Sequence, residues 1–326
     1  MFDVLCIGSA TLDAFVNTGN GMFRPCKDNP THVKVPFGSK ILIKDLQFFS
    51  GGGGTNTAVG FSRLGFRAGW IGKIGDDETG RVILSELKKE KVNISHSSIE
   101  KRGKSGYSII LDSQGHDRTV LAYKGCNDNL LLQEVHPASL KTRWLYCSSQ
   151  LRQSAKTLMH ITNLMKNRGA KVAFNPSTYM ISSEQSIVNS MLKVSDVLIF
   201  NAEEAAFLAG KRGIKETMKE LHLLGPSTIV ITDGKNGAHA SNGHEVWHCK
   251  PIPVPVIEST GAGDAFATGF VAGTIKAKPL PECMKMGMAN SASVIQHVGA
   301  KNILMSSSGI QKAISRIPSY FLHQLK

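Results

Sequence analysis

Glu258-Ser259-Thr260-Gly261-Ala262-Gly263-Asp264-Ala265-Phe266-Ala267-Thr268-Gly269-Phe270-Val271 carries more information than any other stretch of this 326-residue chain. Small residues Gly261, Ala262 and Gly263 lead into an acid, Asp264, and an apolar run to Ile275 follows at once. Glycines let a backbone turn sharply and bring its N–H groups close to a ligand. A helix that starts there adds the positive end of its dipole. The expected product is a nest of donors for an anion beside a carboxylate. Phosphoryl transfer needs those two parts: a seat for negative charge and a base for a hydroxyl proton. Taken alone, a Gly-x-Gly-Asp is better read as a turn before a helix with an acid in its first turn.

A second stretch changes that balance. Ser50-Gly51-Gly52-Gly53-Gly54-Thr55-Asn56-Thr57-Ala58 places four glycines in a row. Each would cost up to about 1 kcal/mol inside a helix, so a loop is expected, opening a helix over 57–64 that ends at Gly65. Asn56 can donate to and accept from hydroxyls. The flanks Leu46–Phe49 and Val59–Phe61 are apolar, which argues against a solvated linker.

In order, the two stretches resemble the signatures of the ribokinase-like sugar kinases, the phosphofructokinase-B family. The upstream match runs from Gly51 to Asn56, with Gly72 and Gly75 downstream; the later match runs from Ser259 to Asp264. One position departs: Glu258 stands where the family has an Asp. The resemblance spans nearly the whole chain and implies a single domain over 1–326. The implied fold is α/β, with a mainly parallel sheet, helices on both faces and a small β-sheet lid.

Composition agrees. Hydrophobic residues make up 41 %, ample for a core, and no apolar run is long enough for a membrane span. The six cysteines are scattered without zinc spacing, and an acid at Asp3 sits where a signal peptide wants bases, so a cytoplasmic location is expected. The net charge is +13, but the basic residues are dispersed and aromatics are only 7 %, which gives nucleic-acid binding little support. Short apolar segments Val4–Ile7, Ala68–Ile71, Trp144–Cys147, Lys171–Phe174, Val197–Phe200 and Thr228–Thr232 read as strands alternating with helical segments. That rhythm predicts a parallel sheet with ligands at the carboxyl ends of its strands. Residues 105–123 read as a hairpin. The lid implied by the resemblance would use about 14–45 and 104–123, where several relatives also make dimer contacts.

The resemblance assigns roles residue by residue. Asp264 would be the base, with Gly261, Ala262 and Gly263 as the anion nest. Asp13, Gly52, Gly53 and Asn56 would bind the acceptor. Thr232, Gly234 and Gly237 would hold ATP phosphates, and Asn290 would line the adenine pocket. Asn201 and Glu204, in Asn201-Ala202-Glu203-Glu204, would hold Mg2+ through water, although the same residues also make a good helix cap. Relatives often bind K+ through the first acid of the later motif. Glu258 is one methylene longer than Asp, so weak or shifted activation by monovalent cations is expected. Lys124 is read as an exposed loop lysine, the alternative being contact with a substrate phosphate. Gly103-Lys104-Ser105 mimics the end of a Walker loop, but position 98 is Ser and a hairpin follows, so that reading is rejected. The implied activity is transfer of the ATP γ-phosphoryl group to a sugar, ribose or a related carbohydrate. A nucleoside acceptor is the alternative, and a non-catalytic regulatory or nucleic-acid-binding relative is the reading from another class.

Overall fold

The first strand holds four apolar residues, Val4 to Ile7, that are buried on both sides. In β1 (Phe2–Ile7) Val4 and Cys6 enter one core layer while Leu5 and Ile7 enter the other. A strand alternates its side chains, so a continuous apolar run marks a sheet covered on both faces. The computed structural model describes residues 1–19, 38–112, 119–210 and 213–325. Its elements in chain order begin with β2 (Thr11–Asn17), β3 (Asp45–Gly51), α1 (Gly53–Arg63), β4 (Ala68–Ile71), β5 (Lys73–Gly75) and α2 (Glu78–Lys89). Next come β6 (Ser98–Glu100), β7 (Gly106–Asp112), β8 (Thr119–Tyr123), β9 (Thr142–Ser148) and α3 (Arg152–Asn167). The middle holds β10 (Lys171–Asn175), α4 (Thr178–Ser183), α5 (Gln185–Val194), β11 (Val197–Asn201), α6 (Ala202–Ala209) and α7 (Ile214–Leu223). The last part holds β12 (Thr228–Thr232), β13 (Ala238–Ser241), β14 (Val246–Cys249), α8 (Ala262–Ile275), α9 (Leu280–Val294), α10 (Ser307–Ile314) and β15 (Leu322–Gln324).

The main sheet runs β15-β14-β13-β12-β11-β10-β9-β1-β4. From β4 to β12 all pairings are parallel, and the last three strands add on antiparallel. One face carries α1, α8 and α9 over Val4, Cys6, Ala173, Ile199 and Val230; the other carries α3, α5 and α7 over Leu5, Phe174, Leu198 and Ile231. The six short apolar strands read from the sequence all occur. Lys235-Asn236-Gly237 closes the β12–β13 hairpin.

A second, four-stranded sheet has the order β3-β2-β7-β8. Its strands extend further than the lid boundaries 14–45 and 104–123 suggest, since β2 begins at Thr11 and β3 ends at Gly51. The reason is that β2 follows β1 after only three residues and β3 takes in Ser50 and Gly51, while α1 starts at Gly53 and not at 57, so the glycines expected as a loop are divided between strand and helix with only Gly52 between them. Asp13, shortly past β1, therefore sits within β2. The hairpin of β7 and β8 is present, while its turn lies outside the described residues. Ser105 of the Walker-like stretch braces a turn: its Oγ donates to Asp77 Oδ1 at 2.6 Å, and β7 follows directly.

Candidate active site

The carboxyl ends of the parallel strands surround a cleft of about 400 Å3. Ser9 follows β1, Ser148 ends β9 and Ser149 follows it, Asn175 ends β10, Asn201 ends β11 and Thr232 ends β12, and all of them line it. Gly53 of the glycine loop and Gly261, Gly263 and Asp264 of the later motif complete the wall. Peptide dipoles and helix starts converge at this edge, where doubly wound sheets bind ligands.

The later motif turns as its glycines require. Gly261 is the N-cap of α8 with φ 81°. A Cβ there would also lie 2.5 Å from the Cβ of Ala300, so no other residue fits. Ala262 is the first residue of α8 and Asp264 stands in its first turn. The first N–H groups of a helix have no intrahelical partner; Gly261, Gly263 and Asp264 line the cleft, while the Ala262 N–H donates to Ser259 O at 3.2 Å. A Cβ on Gly263 would meet nothing within 4 Å, so an anion can approach this backbone closely.

The glycine loop meets that motif through one bond: Asn56 Nδ2 donates to Asp264 Oδ2 at 2.8 Å. Gly52, the N-cap of α1, has φ 95°, and a Cβ on it would lie 2.5 Å from the Ser9 carbonyl. Asn56 Oδ1 and Ser148 Oγ are both buried without a hydrogen-bond partner, an arrangement that fits a hydroxyl-bearing guest. Asp13 is 5 % exposed, accepts from Thr11 Oγ1 at 2.8 Å and abuts Gly51. Burial pushes the Asp264 carboxyl above its ordinary value, Asn56 and the charge of Lys301 pull it down, and Asp13 adds to the rise.

On the opposite wall Asn201 caps α6. Its Oδ1 accepts from the Glu204 N–H at 2.8 Å, and Glu204 Oε2 accepts from the Asn201 N–H at 2.9 Å. Both side chains also line the cleft, so cap and ligand roles are compatible. Burial raises the Glu204 carboxyl, with N–H donors opposing. Thr232 reaches the cleft, while Gly234 and Gly237 shape the adjoining turn, joined by a 3.1 Å bond from Gly237 N–H to Gly234 O. Glu258 braces its own loop, its Oε1 accepting from the N–H and Oγ1 of Thr260, each at 2.8 Å.

Asn290 is a correction. It is 0 % exposed; its Nδ2 donates to Ala265 O at 2.8 Å and its Oδ1 accepts from Met305 N–H at 3.0 Å. Both ends of the amide are used to join α8, α9 and the following loop, so it staples elements and does not line a pocket. Lys124 is half-buried and lines the cleft, contrary to its reading as an exposed loop residue. Ser148, Ser149 and Asn175 were missed, yet each ends or follows a strand that the apolar pattern had identified. Lys301 was missed with no local signal at all, since its partner Ser50 is 251 residues away.

Residues 1–306 match the family model described as pfkB family carbohydrate kinase. A fructokinase of Klebsiella pneumoniae is 29 % identical over 260 residues, covering 77 % of this chain and 84 % of that protein. A 5-dehydro-2-deoxygluconokinase of Bacillus subtilis is 26 % identical and covers 96 % of both chains. Arabidopsis thaliana ribokinase, solved with ribose and ATP, superposes with a TM-score of 0.79 at 20 % identity, covering 97 % of this chain and 99 % of that one. The chain therefore belongs to the pfkB family of carbohydrate kinases and is an ATP-dependent sugar kinase with a hydroxyl acceptor.

Proposed function

We propose that the acceptor is a small neutral sugar, ribose or a related carbohydrate, and that Asp264 is the base that activates its hydroxyl. The observation that carries this is the 2.8 Å bond from Asn56 Nδ2 to Asp264 Oδ2, which joins two motifs 208 residues apart beside the cleft that Asp264 lines. Asp13, Gly52, Gly53 and Asn56 form the acceptor side. Asp264 takes the hydroxyl proton, the freed oxygen attacks the γ-phosphorus of ATP, and ADP leaves. The N–H groups of Gly261, Gly263 and Asp264 face the charge that develops. Thr232, Gly234 and Gly237 hold the phosphate side.

ATP with Mg2+ is in keeping with the family. Asn201 and Glu204 would hold the ion through its waters, and their oxygen donors suit a hard cation. Bound there, it offsets the charge of the phosphates. Glu258, already engaged by Thr260, supports weak or shifted activation by K+, and a KCl titration of turnover checks this. Strong, saturable dependence on K+ would overturn that part. Leu46, Phe48, Leu121 and Tyr123 of the small sheet are exposed, which supports pairing with a second copy through the lid; sedimentation velocity reads it directly.

The deciding experiment measures ADP release with ATP and Mg2+ across ribose, fructose, other sugars, nucleosides and fructose phosphates, with Asp264→Asn as control. Turnover with a neutral sugar that the substitution abolishes supports the proposal. Turnover only with a nucleoside or a phosphosugar overturns the acceptor assignment. Silence without ATP binding overturns catalysis itself.

A further inference from the structure

Lys301 is 2 % exposed and belongs to neither motif. Its Nζ donates to Ser50 Oγ at 2.5 Å and to Thr55 Oγ1 at 3.2 Å, and lies 3.7 Å from Glu86 Oε1. Ser50 Oγ in turn donates to Glu86. Ser50 immediately precedes the four glycines and Thr55 immediately follows them. One buried charge thus grips the end of β3 and the first turn of α1, on either side of Gly52. The segment that carries it also touches the later motif. The Cβ of Ala300 is the atom that a Cβ on Gly261 would strike, and a Cβ on Gly299 would lie 2.9 Å from the Phe49 ring. Arg63, at the end of α1, donates to the carbonyls of Lys301 at 2.9 Å and Asn302 at 3.0 Å and pairs with Glu90 at 2.7 Å.

We propose that residues 299–301 form a clasp between the two motif loops, and that Lys301 is a positioning residue for phosphoryl transfer acting through Thr55 and Asn56 on Asp264. The inference rests on the kinase reading above. A buried ammonium is costly unless paired, and an apolar side chain would fill the same space without that cost. What the ammonium adds is direction. It fixes Thr55, whose Oγ1 donates to Gly51 O at 2.6 Å and so ties the first turn of α1 to the end of β3. The next residue, Asn56, holds the Asp264 carboxylate. Transfer requires reacting groups held to a fraction of an ångström, and small displacements from a distance are felt. The charge of Lys301 also favours the ionised form of Asp264. The other groups facing that carboxyl are Asp13 from β2, Cys6 from β1 and Tyr146 from β9. Lys124 and Glu204 share the cleft.

The test compares parent, Lys301→Met, Lys301→Arg and Thr55→Val in full-length protein, once the parent shows acceptor-dependent ADP release. Lys301→Met is expected to lower kcat by about 10- to 100-fold with the KM for ATP little changed. Removing the positive charge leaves Asp264 harder to ionise, so the acid limb of kcat/KM moves to higher pH. Lys301→Arg recovers part of kcat and returns the limb towards the parent. Thr55→Val keeps Lys301 on Ser50 and Glu86 but breaks the link to Asn56, and it lowers kcat even if Lys301→Met does not fold. Parental kcat and an unmoved acid limb in Lys301→Met, or parental kcat in Thr55→Val, overturn the inference alone. A parent that is silent with every acceptor overturns the kinase reading and the inference with it.

Discussion

Asp264 combines two opposing environments. Burial raises its carboxyl above the ordinary carboxylate value of 3.8, while Asn56 and Lys301 favour the charged form. A base must be deprotonated to work, so kcat/KM falls as the pH drops through this raised pKa. An acid limb above the ordinary range for an aspartate is expected in a pH–rate profile, and a limb at or below that range would contradict the burial argument. Asp264→Asn should lose about 10²- to 10⁴-fold in turnover while keeping its unfolding midpoint. Asp264 and Asn56 were legible in the sequence because each sits in a glycine-rich stretch with a fixed spacing. Their hydrogen bond was not legible, because nothing local sets the distance between residues 208 positions apart.

At the scale of elements, α8 is an apolar wedge. Residues from Ala265 to Gly273 are buried, and the helix crosses α9 closely. A Cβ on Gly269 would lie 2.4 Å from the Met286 carbonyl oxygen, backbone that cannot swing aside. Gly269→Ala should therefore destabilise by about 1–3 kcal/mol through overpacking, read as a lower urea midpoint. Gly263→Ala, on the same helix, is the contrast. It meets open space, so the urea midpoint should stay level or rise, because Ala is the better helix former by about 1 kcal/mol. Its methyl enters the cleft instead, and turnover should fall. Equal urea midpoints for the two variants would refute this division of α8 into a packed end and a binding end. The strands were legible because apolar runs of four to six residues can only be buried on both faces. Asn290 was misread because α9 shows which residues are buried but not which backbone groups await a partner.

At the scale of the molecule, the cleft joins strand ends and the starts of α1, α4, α6 and α8. A ligand that binds only this assembled site stabilises the whole chain, by about 2.7 kcal/mol at one hundred times its Kd. ATP with Mg2+ should raise the thermal midpoint and slow proteolysis. EDTA should abolish turnover and remove most of the shift if Asn201 and Glu204 hold the ion. ATP protection of equal size with and without EDTA would argue against that role. No helix among the described residues is long and apolar enough to cross a membrane.

The amino-acid sequence by itself determined the strand and helix rhythm, the parallel sheet and the two glycine motifs. These follow from period, burial and backbone conformation, which neighbouring residues set among themselves. Tertiary structure alone decided that Asp13 lies in a strand, that Asn290 is a staple, that Lys124 faces the cleft and that Lys301 stands behind the glycine loop. Those facts depend on which distant segments come together. A charged side chain carries no local mark of the partner, some 250 positions away, that makes its burial tolerable.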